Sequence, residues 1–375
     1  MAAPSSPLPV GFKVFPADNI WNAPVDTAPL HPNSALWMDI SNGHAGHPLH
    51  ADFGYLYNGH LNGIPYNVVG NATPKVQVAF NPAGNYAADS DPLPAGGLPI
   101  PTDAVAEGDP IPVDLAGDRH LLLMDVDNKV LHELFSTVRQ LDGSWLCSQY
   151  SRWDLTRNAL RPDGLSSADA AGLPILPGLV RWDEIQAGEI KHALRFALDL
   201  TWKPHLWPAR HVALSGSSLN PPMGMRVRLK ANFNISGYSA TNQIILKALK
   251  KYGMFLADNG GDWYISGAPN ANFDDNDLHL LTQITPHDAF EVVDTSAWIV
   301  DPNSGQVLGT LPPPSVCDVN QDGTTNVLDV QLAVNAVIEV ILCTSSYDLN
   351  IDGLCNVIDV QRVVNSVSGG PCISP

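Results

Sequence analysis

Oxygen-bearing side chains recur at one spacing twice near the carboxy terminus. Asp318, Asn320, Asp322 and Asn326 lead to Asp329, and thirty residues later Asp348, Asn350, Asp352 and Asn356 lead to Asp359. Gly323 and Gly353 fall sixth in each run, where a sharp turn needs a residue that tolerates positive φ. This alternation predicts two EF-hand-type calcium loops, since the ion takes roughly six to eight hard oxygens at about 2.3–2.6 Å. The twelfth position is Asp where an EF-hand has Glu, and no helical pattern enters either loop. Val327, Val330, Val334 and Val337, then Val357, Val360, Val364 and Val367, recur behind the loops at helical spacing. They predict two helices packed through those faces.

The preceding three hundred residues offer carboxylates and histidines for acid–base chemistry. Glutamate is scarce there, occurring only at Glu107, Glu133, Glu184, Glu189 and Glu291. His120–Val126 and Lys129–Phe135 read as a hairpin turning at Asp127-Asn128, with Leu122 opposite Glu133 and His120 its diagonal neighbour. A carboxyl among Leu122, Met124, Leu131 and Phe135 has its charged form disfavoured, which suits a general acid. The same Glu133 would also serve in a structural bridge to an arginine. Asp154 and Asp169, in an arginine-bearing loop stretch with Arg161, are the candidate nucleophile or base, with Asp169 alternatively capping a turn. His120, His192 and His211 are candidate bases. His44-Ala-Gly-His47-Pro-Leu-His50-Ala-Asp52 reads as a loop, because Pro48 forbids a helix. His47, His50 and Asp52 there form a possible metal or acid–base cluster, with His50 and Asp52 on one face of an extended segment. Trp153, Trp182 and Trp263 lie near polar loops and, with Arg161, are the candidate substrate contacts, the indoles stacking on sugar rings or else serving as core or rim.

The duplicated loop-and-helix tail resembles a dockerin, the small module that plugs secreted enzymes into cohesin-bearing scaffolds. The resemblance implies two calcium ions, backbone carbonyls of Thr324 and Leu354 as further ligands, and a cohesin as partner. The positions where dockerins read a cohesin hold Val327, Leu328, Val357 and Ile358, implying a more apolar partner surface. A calcium-stabilised tail without a partner is the alternative. The larger region is similar to a family of secreted bacterial proteins in its LHADFG, GDRH, SADAAGLPILPGLVRWDE, HALRF and RLKANF segments. That likeness implies one domain of nearly three hundred residues and brings no activity with it.

The elements that must position these groups follow from composition and pattern. With 375 residues the chain exceeds one ordinary domain. Its net charge of −18 argues against nucleic acid or an anionic membrane. No apolar run reaches the ~20 residues of a membrane span. The opening MAAPSSPLPV lacks the basic start and apolar core of a signal peptide, and reads as a mature form with an added Met. Four of the five cysteines, Cys317, Cys343, Cys355 and Cys372, lie in the tail, which fits an oxidising, extracellular or cell-surface setting. Three pairings are open, and Cys147 is left over. Dense Pro and Gly up to residue 117 read as short strands between ordered loops. Further strands are expected at 144–150, 190–200, 210–214 and 225–231, and a helix at 241–256 capped by Thr241. Arg226, Arg228 and Lys230 share one strand face and read as a solvated face, with a cradle for an acidic substrate as the alternative. The expected organisation is a lead-in at 1–15, a β-rich α+β domain at 16–300 of sandwich type, a Pro-rich linker at 301–315 and the helical calcium module at 316–373. The expected function is a secreted polysaccharide-degrading glycoside hydrolase using carboxylates. A non-catalytic carbohydrate-binding or adhesion protein is one alternative, and a lyase or metal-assisted hydrolase using histidines is another. Whether the large domain holds a metal is left open.

Overall fold

Short apolar runs in the large region pair into two main sheets of ten strands. In chain order these are β1 (His50–Asp52), β2 (Tyr66–Val69), β3 (Leu121–Asp125), β4 (Val130–Phe135), β5 (Gln149–Asp154), β6 (Leu194–Leu198), β7 (Arg226–Leu229), β8 (Met254–Asn259), β9 (Tyr264–Ser266) and β10 (Phe290–Val293). The computed structural model describes residues 5–41, 46–110, 117–213, 215–308, 316–317, 319, 325–344, 346–368, 370 and 372. One sheet runs β1-β9-β6-β8-β7-β10, with β1 parallel to β9 and β6 parallel to β8. The other runs β5-β4-β3-β2, antiparallel except where β2 meets β3. Smaller sheets use pairs such as Leu56–Tyr57 with His60–Leu61. Among the described residues several sheets and seven α-helices occur and no sheet closes into a barrel, so the fold is β-rich α+β.

The β3–β4 register sets Leu122 opposite Glu133, as the turn position predicts, but β3 begins at Leu121 and leaves His120 outside it. The expected strand at 144–150 is divided: Trp145–Cys147 pairs with Val78–Phe80, whereas Gln149 onward joins β4. Residues 210–213 form no strand. The expected long helix is Ala240–Lys251, capped by the Ser239 hydroxyl and not by Thr241. It stops because Gly253 turns at φ +64°, where a Cβ would lie 2.2 Å from the Val227 carbonyl. The chain then enters β8.

Arg226 is no solvated residue. Its guanidinium is buried against Phe255, 4.5 Å from the ring centroid, and donates to the carbonyls of Ile20, Ala23 and Tyr252. Arg228 is half-buried, bonded to Glu291 and to the Val25 carbonyl.

The chain divides into two compact units, one of Met1–Asp26 and Leu30–Leu308, the other of Thr27–Pro29 and Gly309–Pro375. Residues 301–308, expected as linker, are built into the larger unit: Gln306 donates to Asp18, and Arg210 donates to Pro302 and Asn303. In the small unit, helices Val327–Val337 and Val357–Val367 pack across a core of Cys317, Val319, Ala333, Leu349 and Val363. Of the expected valine stripe, Val330 and Val360 pack against this core, whereas Val327 and Val357 are 70 % and 69 % exposed. Both exposed valines open their helices one residue after the N-cap, ahead of the face that Asp329, Ala333 and Ala336 turn inward. Cys317 bonds Cys372 and Cys343 bonds Cys355, resolving the open pairings, while Cys147 is free and buried.

Truncating Arg226 to Ala removes the guanidinium donors of three buried carbonyls and leaves Ile20 only the bond from the Ala23 amide. It is expected to lower stability by about 3 kcal/mol or more, read from the denaturant midpoint at unchanged slope, with Arg228→Ala costing clearly less. Equal midpoints for the two variants would contradict this reading of Arg226.

Candidate functional site

One face of the six-stranded sheet is polar. Residues opposite one another across a sheet share a face, and the register puts His50 opposite Tyr264 and Tyr264 opposite Ala197, which lies opposite Asp258. The next row pairs Asp52 with Ser266. The other face carries Ala51, Ile265 and Phe196, all buried.

Arg195 organises the polar face. Its Nε and Nη2 donate to the two oxygens of Asp169 at 3.0 and 2.7 Å, Nη1 donates to the Ser266 hydroxyl, and Nη2 lies 3.4 Å from Asp258 Oδ2. A bidentate guanidinium–carboxylate pair with both partners buried fixes position as well as charge. Behind it, His120 Nδ1 sits 2.7 Å from Glu107 Oε2 and its Nε2 3.0 Å from the Ala168 carbonyl, so both ring nitrogens donate. Burial opposes charge on this imidazole, but the Glu107 carboxylate outweighs it and lifts the pKa to about 9. His120 is therefore a fixed cation at neutral pH and not the base expected of it.

Asp258 is the acid of this face. Burial, then the charge of Asp169, push its pKa up to about 7 against the pull of Arg195, while its side chain stays 24 % exposed. Asp52 keeps an exposed edge, with its pKa raised by desolvation and by Glu107. His50 stacks on Tyr264 at 4.3 Å, and its buried Nδ1 has no hydrogen-bond partner. Burial lowers its pKa, leaving a neutral imidazole beside Asp52. A carboxyl that titrates near 7, a second carboxyl and an imidazole beside a guanidinium are groups that can donate and accept protons in one reaction.

The remaining expected residues serve the scaffold. Glu133 is 0 % exposed and accepts from the amides of Ile175 and Leu176 and from Trp153 Nε1. Burial lifts its pKa to about 7, as its apolar surroundings predict, but no edge of the carboxyl is open to a substrate. Asp169 is spent on Arg195 and positions it. Asp154 lies opposite Val130, three residues along β5 from the partner of Glu133, and accepts from Thr156. His192 is paired with Glu184 at 3.0 Å, and His211 Nδ1 lies 2.8 Å from the Ala170 carbonyl. Arg161 is buried on Asp91 and the Ser166 carbonyl. Trp153 and Trp263 are core, the latter donating to Ser41, and half-buried Trp182 meets Phe273 edge-on at 5.0 Å, so no sugar platform forms from Trp153 or Trp263. His47 lies 3.2 Å from Asp262, apart from the polar rows, while His44 lies outside the described residues. His50 and Asp52 do share a face. Asp258, Arg195 and Ser266 escaped the sequence reading because only strand pairing brings them together.

In the small unit Asp318, Asn320, Asp322 and Thr324 lie outside the described residues. The second loop is described whole. Asp348 accepts from the amides of Asp352 and Gly353, and Gly353 turns at φ +85°. The Asn350 and Asn356 amides converge on Asp352 Oδ2 at 2.7 and 3.2 Å. Leu354 follows with its amide on Asp352 Oδ1. Asp359 is buried and accepts from the amides of Leu349, Asn350 and Asn356. Asn326 with Asp329, and Asn356 with Asp359, form the same capping box at the two helix starts. Among the described residues no three His, Cys, Asp or Glu side chains are grouped to hold a metal.

The protonation pattern sets a pH dependence. Glu133 and Asp258 have folded pKa values near 7, above their ordinary 4.5 and 3.8, and His120 has one near 9, above 6.5. The folded chain thus holds more protons than the unfolded one across this window. The carboxyl contributions are full below the ordinary carboxyl range and lost as pH rises through about 7, and that of His120 is lost through about 9. Glu107 acts oppositely: burial works to raise its pKa, but the charge and hydrogen bonds of His120 outweigh burial and lower it, so its contribution fades only in acid. The denaturant midpoint of the large unit is expected to be higher at about pH 5 than at about pH 9, and Glu133→Gln is expected to flatten the part of the fall below about pH 7. A midpoint that climbs with pH refutes the assignment. Compared with known proteins, the chain matches no family model, no curated protein and no solved structure.

Proposed function

We propose that the large unit is a hydrolase of neutral polysaccharides, with Asp258 as general acid and Asp52 as the base that activates water, His50 assisting. The observation that carries this is the placement of Asp52 and Asp258 on one sheet face, on either side of Arg195. Three interstrand steps of about 4.8 Å and an offset of one row along the strands separate their backbones. That span is too wide for the ~5.5 Å of a retaining pair, so of the two geometries it favours the wider spacing of an inverting one. Arg195 already carries Asp169 and Asp258, so it has no charge to spare for a uronate carboxylate. With Asp52 and Glu107 beside it, the face repels acidic glycans, which favours hydrolysis over elimination.

Reducing-end release from a panel of neutral and acidic polysaccharides tests the reading. Asp258→Asn is expected to lower kcat by roughly 10²–10⁴-fold. The wild-type rate is expected to fall as pH rises past about 7, where Asp258 loses its proton. Release from no neutral glycan, or a wild-type rate in Asp258→Asn, refutes it.

The small unit we read as a dockerin-like calcium module that joins the enzyme to an extracellular scaffold. The second loop fits the ion: Asp348, Asn350, Asp352 and Asn356 face one short turn around Gly353, with the Leu354 carbonyl following. The first loop repeats its sequence, so two ions are expected. Bound calcium supplies positive charge to a segment of seven acids and one arginine. Val327, Leu328, Val357 and Ile358 are exposed, as an apolar docking surface requires. Two disulfides, and the lack of any helix among the described residues long and apolar enough to cross a membrane, are compatible with secretion. Calorimetric titration of the full chain is expected to give two sites, with Asp352→Ala leaving one. At about a hundredfold over Kd, the ion is expected to stabilise the unit by about 2.7 kcal/mol. Two sites remaining in Asp352→Ala contradict this ligand set.

A further inference from the structure

A cavity of about 700 Å³ lies away from the polar sheet face, between the amino-terminal segment and the helix Trp182–Ala187. Its size is that of a small-ligand site, which spans roughly 300–1,000 Å³. The amino-terminal wall is held in place, with the Ser5 hydroxyl accepting from the Tyr66 amide and the carbonyls of Val14 and Pro16 taking the Asn22 amide. It offers Pro7, Pro9 and the half-buried ring of Phe12 to the interior.

The opposite wall holds buried polar atoms with nothing to bond. Arg181 is 6 % exposed, with Nη2 paired to Glu184 at 2.6 Å and Nε in a looser ion pair with Asp183 Oδ1. Its Nε and Nη1 have no hydrogen-bond partner, and neither does Asp183 Oδ1, 3.7 Å from Nε. Each such atom costs about 1–3 kcal/mol when left dry, so the arrangement calls for an occupant. These atoms have no accessible surface as they stand, so a small turn of either side chain toward the cavity is what would let one ligand hydroxyl accept from the guanidinium and donate to the carboxylate. The charged lining is balanced, with Lys13, Arg181 and Lys191 against Asp183, Glu184 and Glu189. A ligand with net charge gains nothing there, and a neutral one with several hydroxyls and an apolar ring face fits both walls.

We infer that this cavity is a second carbohydrate site, separate from the proposed hydrolytic face, which binds a short neutral oligosaccharide through Arg181 and Asp183 with a sugar ring on Phe12. The inference rests on the cavity and is independent of whether the sheet face hydrolyses anything.

Its test is equilibrium binding of neutral trisaccharides of glucose, xylose and mannose, and of trigalacturonate, to the full chain carrying Asp258→Asn, which suppresses turnover. At least one neutral trisaccharide is expected to bind. Asp183→Ala is expected to weaken it about tenfold or more. Phe12→Ala, in a segment outside the sheets, is expected to weaken it severalfold without changing the thermal midpoint. Turnover by the chain with native Asp258 is expected to survive Asp183→Ala, which separates this site from the hydrolytic one. No neutral binding, binding indifferent to both substitutions, or preference for trigalacturonate overturns the inference.

Discussion

The polar face of the large unit depends on the buried pair between Arg195 and Asp169. Taking a guanidinium and a carboxylate out of water costs several kcal/mol each, and only dense, well-directed hydrogen bonding offsets it. Here the offset comes from the bidentate contact, the Ser266 hydroxyl and the approach of Asp258. One cation thus ties the loop bearing Asp169 to three strands. Burial, and after it the carboxylates this one cation cannot neutralise, push the Asp258 carboxyl toward neutrality.

Other buried charges in the unit do a different task. A chain with 30 glycines and 32 prolines runs through long loops, and loop amides and carbonyls lack ladder partners. Arg226 satisfies three carbonyls, Arg210 bonds the carbonyls of Arg161 and Pro302, Arg161 those of Asp89 and Ser166, and Glu133 takes two amides. Side chains that look catalytic by type are here substitutes for secondary structure. The same logic makes the unsatisfied atoms of Arg181 and Asp183 conspicuous.

The small unit shows how a repeated sequence repeats its local physics. Asn326 and Asn356 both start their helices at φ −142°, and the Asp three residues on reaches back to cap each one. Its core is thin, and the two disulfides add the constraint that a unit of this size needs.

Local pattern alone determined what depends on neighbours in the chain. The β3–β4 register, the β-rich character, the helix through Ile245 and Leu249, the loop around Gly353 and the shared face of His50 and Asp52 all follow from turn chemistry and periodicity. The elevated Glu133 pKa was also legible, since its apolar strand neighbours desolvate it, but its closure to solvent was not, because Ile175 and Leu176 arrive from 42 and 43 residues away. Asp258, Arg195 and Ser266 meet only through the order of strands β9, β6 and β8, and His120 acquires its charge from Glu107 across a loop. Periodicity says which face a side chain takes. Which other strand lies beside it, and therefore which charges share one desolvated space, is decided by tertiary packing, because electrostatic environment is a property of the assembled neighbours and not of the chain's local order.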